Sequence, residues 1–413
     1  MSQSKNFPKF NIIITLLIIT SFLIGFLLQE NSSGGAIDFV HYYKNFKLFY
    51  GNNFFKVDWY KYDSSSLPLY YFVTYFFYNP NDLILLKIFN LILSLFCFFI
   101  FYKIIKIHLG FNNSLALLLS SSILLSPYFR TSTYWMMEEN FPILMTFLSI
   151  YFYLKLKKNF NYLSLSTAIF FSVCAFFSRQ NYIIISFGLF LLIFDWKNII
   201  SKKNFLIVIT YVICFLPSIY FLITWNGLLP PLLVDQNRVL IFNFNNIPYI
   251  LNIILIYILP FIFLDRQKIL FFFIHNKILI LSLFIFYLLL FYNFTPLNLG
   301  GGAINKLLFM LSSGYVLKYL TLVSSFFSII FLFLLFKDNR FILIYMISNI
   351  FLFCTITPVW QEYFDPLSLV FLILFGNKLT SSISSNKFVY FLIVYLIIFL
   401  GTSIIDQNYL VNV

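Results

Sequence analysis

The chain has 413 residues, of which 61% are hydrophobic and 10% charged, with a mean hydropathy of +0.91 and a formal net charge of +13. Soluble domains are about 45–50% apolar and roughly 25% charged, so this composition excludes a water-soluble protein and calls for repeated bilayer-length helices. A nucleic-acid binder is excluded too, because the lysines lie between apolar segments rather than along one face.

The first apolar stretch, "NIIITLLIITSFLIGFLLQE", is long enough to span a bilayer. It is followed by "NSSGG" and not by an A-x-A cleavage pattern, which predicts a retained first helix over 11–28. Residues 29–82 form the longest connection, and a link of that length needs structure or a purpose of its own. Two amphipathic segments inside it, 37–50 and 67–78, are expected to lie in the membrane interface with Tyr and Phe facing lipid. Further spans are expected at 83–102, 112–127, 141–154, 162–177, 181–194, 204–222, 248–264, 278–292, 308–335, 341–356, 364–375 and 388–402. The expected fold is therefore all-α and polytopic, with about 13 spans and with 12 and 14 as neighbouring solutions, in a single integral membrane domain over 1–413.

Charge bias supports the alternation. With the N-terminus inside, the cytoplasmic links and the N-terminal lysines carry 17 of the 27 Lys and Arg residues, as the positive-inside rule requires. Asp195, Asp265 and Asp338 fall on the inner side, and the other eleven of the 14 acids fall outside or at that interface. The outer face is thus where charged chemistry collects. The short loops favour a bacterial inner membrane, with the endoplasmic reticulum as the alternative.

Four cysteines, Cys97, Cys174, Cys214 and Cys354, sit in or beside apolar segments without a CxxC, and read as small buried hydrophobes. In "GGAIDFVHYYKNF", Asp38 is either a solvated helix-start carboxylate or a general base at the mouth of a cavity. His41 is three residues on, and shares its helical face. No His/Cys/Asp cluster surrounds them, so zinc is not expected; a hard cation such as Mg²⁺ or Mn²⁺, bridging Asp38 to a phosphate, is the metal option. In "SPYFRTSTYWMMEENFP", Arg130, Glu138 and Glu139 are expected together at one lipid–water boundary. The two acids there serve either as helix-start caps before Pro142 or as site residues, with Glu139 the better candidate because it is nearer the span.

Arg179, Gln180 and Asn181 in "CAFFSRQNYIIIS" interrupt an apolar run. They read as a plain loop, or as an arginine fork for phosphate with two amides for sugar hydroxyls. Arg238 in "VDQNRV" and Lys306 in "NLGGGAINK" are further anion contacts, and the glycine run is a flexible loop or a main-chain anion nest. It lacks P-loop spacing, so nucleotide hydrolysis has no support. Trp360 and Glu362 in "TPVWQEYFDP" form an aromatic belt or an acceptor-sugar platform.

A first span followed by "AIDFVHYY", a long first loop and polar segments returning to one face resemble the GT-C polytopic glycosyltransferases. Within that superfamily, "NNFFKVDWYKYDSSSLPLYYF", "EENFPILMTFLSIYFYL", "FFSRQNYII" and "VWQEYFDPLSLVFLI" look distantly like the dolichyl-phosphate-glucose alpha-1,2-glucosyltransferases. The resemblance implies a sugar moved from a polyprenyl-phosphate donor to a lipid-linked or cell-surface glycan acceptor, at the extracytoplasmic face and with inversion. It matches Asp38 to the family's first-loop acid, and Arg179 and Gln180 to its Arg-Gln pair. Many members carry two acids together in that loop, whereas here Phe39 and then His41 follow Asp38. A transporter, or a flippase or polymerase of lipid-linked saccharides, is the alternative class.

Overall fold

The computed structural model describes residues 7–50, 56–235, 241–264, 266–296, 302–336, 340–355, 359–375 and 386–407. Arg238 and the glycines at 300 and 301 lie outside them. The regular secondary structure of the described residues is helical; their one β pairing is an isolated bridge between Asn79 and Asp82. The chain folds as two compact units, one of residues 1–239 with 396–413, the other of residues 240–395.

The first unit begins with α1 (Phe7–Leu28), the expected first span, and α2 (Gly35–Tyr50), the first of the amphipathic segments. Then come α3 (Leu69–Thr74), α4 (Ile84–Leu109), α5 (Asn113–Ser120) and α6 (Pro127–Tyr134). They are followed by α7 (Asn140–Lys158), α8 (Tyr162–Ser178), α9 (Ile183–Ile193), α10 (Lys202–Trp225) and α11 (Pro231–Asp235). Asparagine and serine start several of these helices: Asn112, Ser126, Asn161 and Ser201 each accept a backbone N–H of the first turn. Pro127 follows its cap at the position where a missing N–H costs nothing.

Among the described residues, five helices are long and apolar enough to cross a membrane: Lys9–Leu28, Ile84–Leu109, Lys202–Trp225, Gly314–Phe336 and Asn386–Ile405. A sixth is reached if Ile269–His275 and Lys277–Leu290, bent by 85°, count as one span. The expectation of about 13 spans is corrected accordingly. A helix rises about 1.5 Å per residue against a hydrocarbon core of about 30 Å. The 17 residues of α8 and the 11 of α9 each fall short of that thickness. The expected span at 112–127 is broken at Ser126, whose extended backbone starts α6.

The aromatics of the first loop also differ from expectation. Tyr62, Tyr70 and Tyr71 are buried, and Phe46 and Phe49 of α2 pack onto them. Phe49 stacks on Tyr71 at 5.5 Å between centroids and 8° between planes. Tyr50, Tyr60, Phe76 and Phe77 stay exposed, with Ile37 and Val40, so only part of the loop's aromatic set turns inward. Aromatic rings gain more from one another's edges and faces than from a mobile interface, so the loop builds a small core.

Behind that core stands a polar anchor. Arg130 is 1% exposed and donates from Nε to Glu30 Oε1 at 2.8 Å and from Nη2 to Glu30 Oε2 at 2.6 Å. Its remaining donors reach the carbonyls of Ser21 and Leu124. Gly25 makes room: a Cβ there would lie 2.6 Å from Arg130 Nη2 and 2.8 Å from Glu30 Oε2. Arg130 therefore does not join Glu138 and Glu139, as its place in the sequence suggested, but ties α6 to the end of α1.

The second unit comprises α12 (Asn246–Leu264), α13 (Arg266–His275), α14 (Lys277–Leu290), α15 (Gly302–Leu311), α16 (Gly314–Phe336), α17 (Arg340–Phe353) and α18 (Leu367–Phe375). The last helix, α19 (Asn386–Ile405), runs from this unit into the first. Tyr249, Tyr287, Phe291, Phe294, Leu322, Phe326, Ile330 and Leu334 form the buried core of the second unit.

Candidate functional site

The turn between α6 and α7, "WMMEEN", carries the site's acids inward. Met136 takes a left-handed conformation (φ 53°), which a side chain adopts only when its surroundings enforce it. Tyr70 Oη enforces it by donating to the Met136 carbonyl at 2.8 Å. Asn140, 1% exposed, fixes the other end, its amide donating to Ser94 Oγ, Thr133 Oγ1 and the Phe129 carbonyl at 3.0, 2.9 and 2.8 Å. Held between these pins, Glu138 and Glu139 are 1% and 6% exposed. Glu139 stands at the N-cap position of α7 but makes no side-chain cap bond to it.

Both acids face Arg179, which stands at the end of α8 in extended backbone. Its Nε lies 3.6 Å from Glu138 Oε1, and its Nη1 lies 3.6 Å from Glu139 Oε1. Ser66 Oγ donates to Glu138 Oε1. Tyr42 Oη donates to Glu139 Oε1 at 2.6 Å. The α-helical spacing that brings Tyr42 over Glu139 puts Asp38 one turn earlier on the same face of α2. The Asp38 carboxyl holds its proton above the usual carboxylate range, first because burial disfavours its charge and next because Glu139 repels it; His41 and Arg179 oppose the shift. Burial, with Glu139 and Glu138, likewise raises the Tyr42 hydroxyl well above the usual phenol range and keeps it a neutral donor.

Glu139 and Arg179 are thus brought together, and Asp38 lies close enough for both to act on its charge. His41 turns away: its Nδ1 meets Asp63 Oδ2 at 2.9 Å on the exposed side of α2. Gln180 and Asn181 follow Arg179 in a short 3₁₀ turn, and the Gln180 amide donates to the Leu228 carbonyl at 2.9 Å. Apart from Arg238, which lies outside the described residues, the remaining candidates belong to the second unit. Lys306 is exposed on α15, Trp360 is 38% exposed, and Glu362 is half-buried in a 3₁₀ turn over Gln361–Tyr363. Their neighbour Gln361 is buried, as are Phe364 and Asp365, and it accepts the Ala303 N–H at 2.8 Å and donates to Tyr257 Oη at 3.0 Å.

Sequence reasoning passed over Tyr42, Ser66 and Gln361, and set Glu138 behind Glu139. Tyr42 had a signal, its place four residues after Asp38. Ser66 had none. Among the described residues, no group of three or more His, Cys, Asp or Glu side chains is placed to hold a metal ion. The four cysteines are free thiols, with Cys97 and Cys354 buried.

The long apolar helices, the all-α fold and the buried ion pairs are those of a polytopic integral membrane protein. No protein-family model, curated protein or solved structure matches the chain.

Proposed function

We propose that the protein is a glycosyltransferase, moving a sugar from a polyprenyl-phosphate donor to a lipid-linked or cell-surface glycan acceptor at the extracytoplasmic face of its membrane. The observation that carries this reading is Asp38, a carboxyl with raised proton affinity set on the first-loop helix beside Glu139 and Arg179. A carboxylate that binds its proton more firmly is a better general base near neutral pH. In the proposed step, the acceptor hydroxyl gives its proton to Asp38 and its oxygen attacks the anomeric carbon. The bond from that carbon to the phosphate oxygen breaks with its electron pair, and polyprenyl phosphate leaves from the opposite face with inversion.

Growing charge on the leaving phosphate needs a cation or oriented dipoles. Arg179 already answers two carboxylates, which weakens the phosphate role read from its sequence; Arg238 is the other cation proposed for it. No step is assigned to Mg²⁺ or Mn²⁺. A bacterial inner membrane is the proposed setting.

The test is release of free polyprenyl phosphate by the purified protein, given a panel of polyprenyl-phosphate sugars and its own lipid extract. In a folded Asp38→Asn variant, release should fall by about 100-fold or more. Unchanged release would remove Asp38 as the base and send the search to Glu139 or Glu362. A folded native protein that releases nothing from any donor would favour the transporter or flippase alternative, to be measured as saccharide flux in vesicles.

A further inference from the structure

The groups facing one another around Glu139 come from three elements: Asp38 from α2, Glu138 and Glu139 from the turn before α7, and Arg179 from the end of α8. His41, the other titratable neighbour of Asp38, is engaged by Asp63. Glu138 and Glu139 therefore share one guanidinium, with Asp38 close enough to feel the charge of Glu139. Glu139 has a second, independent feature. Its Oε1 receives the Tyr42 hydroxyl, while its Oε2 is buried and has no hydrogen-bond partner among the described residues.

A buried carboxylate oxygen without a donor is costly, and the local excess of negative charge raises that cost. A phosphate would bring neither a donor nor a compensating charge. A neutral hydroxyl would bring the donor alone. A primary ammonium brings both, through a charge-assisted hydrogen bond of the stronger kind.

We propose that the sugar bound against Glu139 carries a primary ammonium, so that the ligand of this site is an amino sugar and Glu139 Oε2 is its recognition group. The inference rests on reading the site as a sugar-transfer centre, but it is tested without any donor lipid or turnover. A failure here leaves the release assay standing, and a failure there leaves this binding result readable.

The experiment is calorimetric titration of the full chain in detergent at about pH 6.5, where the amine of glucosamine is protonated, with three probes: glucosamine, glucose and inorganic phosphate. Glucosamine should bind about tenfold or more tighter than glucose, and phosphate should not compete with it. In Glu139→Gln, which keeps an acceptor for Tyr42, the two sugars should bind alike. Equal binding of the sugars to the native protein, displacement by phosphate, or no glucosamine binding at all would overturn the proposal. So would a preference that survives in a folded Glu139→Gln. If that variant does not fold, Glu139→Met takes its place, and an undiminished preference there counts equally against the proposal.

Discussion

Tyr42 donates a 2.6 Å hydrogen bond to Glu139 across 97 positions of sequence, and so joins the first-loop helix to the buried acids that follow α6. A hydroxyl bonded to a carboxylate is among the stronger side-chain contacts. It holds α2 in register, with Asp38 one turn away.

Replacing Tyr42 by Phe keeps the ring and removes only the donor. The expected loss is about 1.5–3 kcal/mol, the range for hydrogen bonds to charged groups. Because the bond joins α2 to the turn, the loss should appear chiefly as faster amide exchange in residues 35–50, read by hydrogen-exchange mass spectrometry. Unchanged protection there would mean that the aromatic core alone docks the helix.

Asp38 sets a pH dependence of stability. Its folded-state affinity for a proton is raised above the ordinary value of 3.8, so the folded state is favoured by protonation and is penalised as pH rises through the folded value. The Asp38→Asn variant should therefore unfold at a higher temperature than the native chain at neutral pH. The gap should close as pH falls to the ordinary carboxylate range, below which both states of the native chain carry the proton. Thermal scans from pH 3.5 to 7.5 in an acid-tolerant detergent decide it, and a gap independent of pH would assign the effect to something other than this charge.

Gly25→Ala would place a methyl group 2.6 Å from Arg130 Nη2 and 2.7 Å from Tyr134 Oη. The ion pair must then separate while remaining buried, and breaking a buried pair costs about 3–5 kcal/mol. A large drop in melting temperature is expected, whereas Gly401→Ala, where a Cβ would meet nothing within 4 Å, should be near neutral.

Asn140→Ala removes three amide donations and leaves the Phe129 carbonyl and two hydroxyls to find other partners. The expected destabilisation is about 2–3 kcal/mol. Release activity should also fall, since Asn140 holds the turn that aims Glu138 and Glu139. Full activity in the variant would show that Tyr70 and Met136 hold that turn unaided.

Much of the site was legible because charge is conspicuous in an apolar chain. Asp38, Glu139 and Arg179 each stood out, and the structure brings Glu139 and Arg179 together, with Asp38 close enough for both to act on its charge. Their partners were not legible, because pairing across such separations is decided by packing. Arg130 shows the limit: its sequence neighbours are acids, yet it bonds Glu30, 100 positions away. The helical class followed from hydropathy, but the span count did not, since hydropathy registers apolarity and not where a helix stops. The 85° bend falls at His275, Asn276 and Lys277, and the break between Leu311 and Gly314 falls at Ser312 and Ser313, short polar interruptions that hydropathy averaging smooths over.

Glu30 and Arg130 also fix depth. Each lies where the first long apolar helix gives way to the first loop, or is locked to the residue that does, and the pair is closed to solvent on the arginine side. Sinking α1 further into hydrocarbon would drag a carboxylate and a guanidinium with it, at a cost of several kcal/mol per charge. The pair thus acts as a flange on the first helix, setting the level at which the loop, and Asp38 with it, meets the membrane surface.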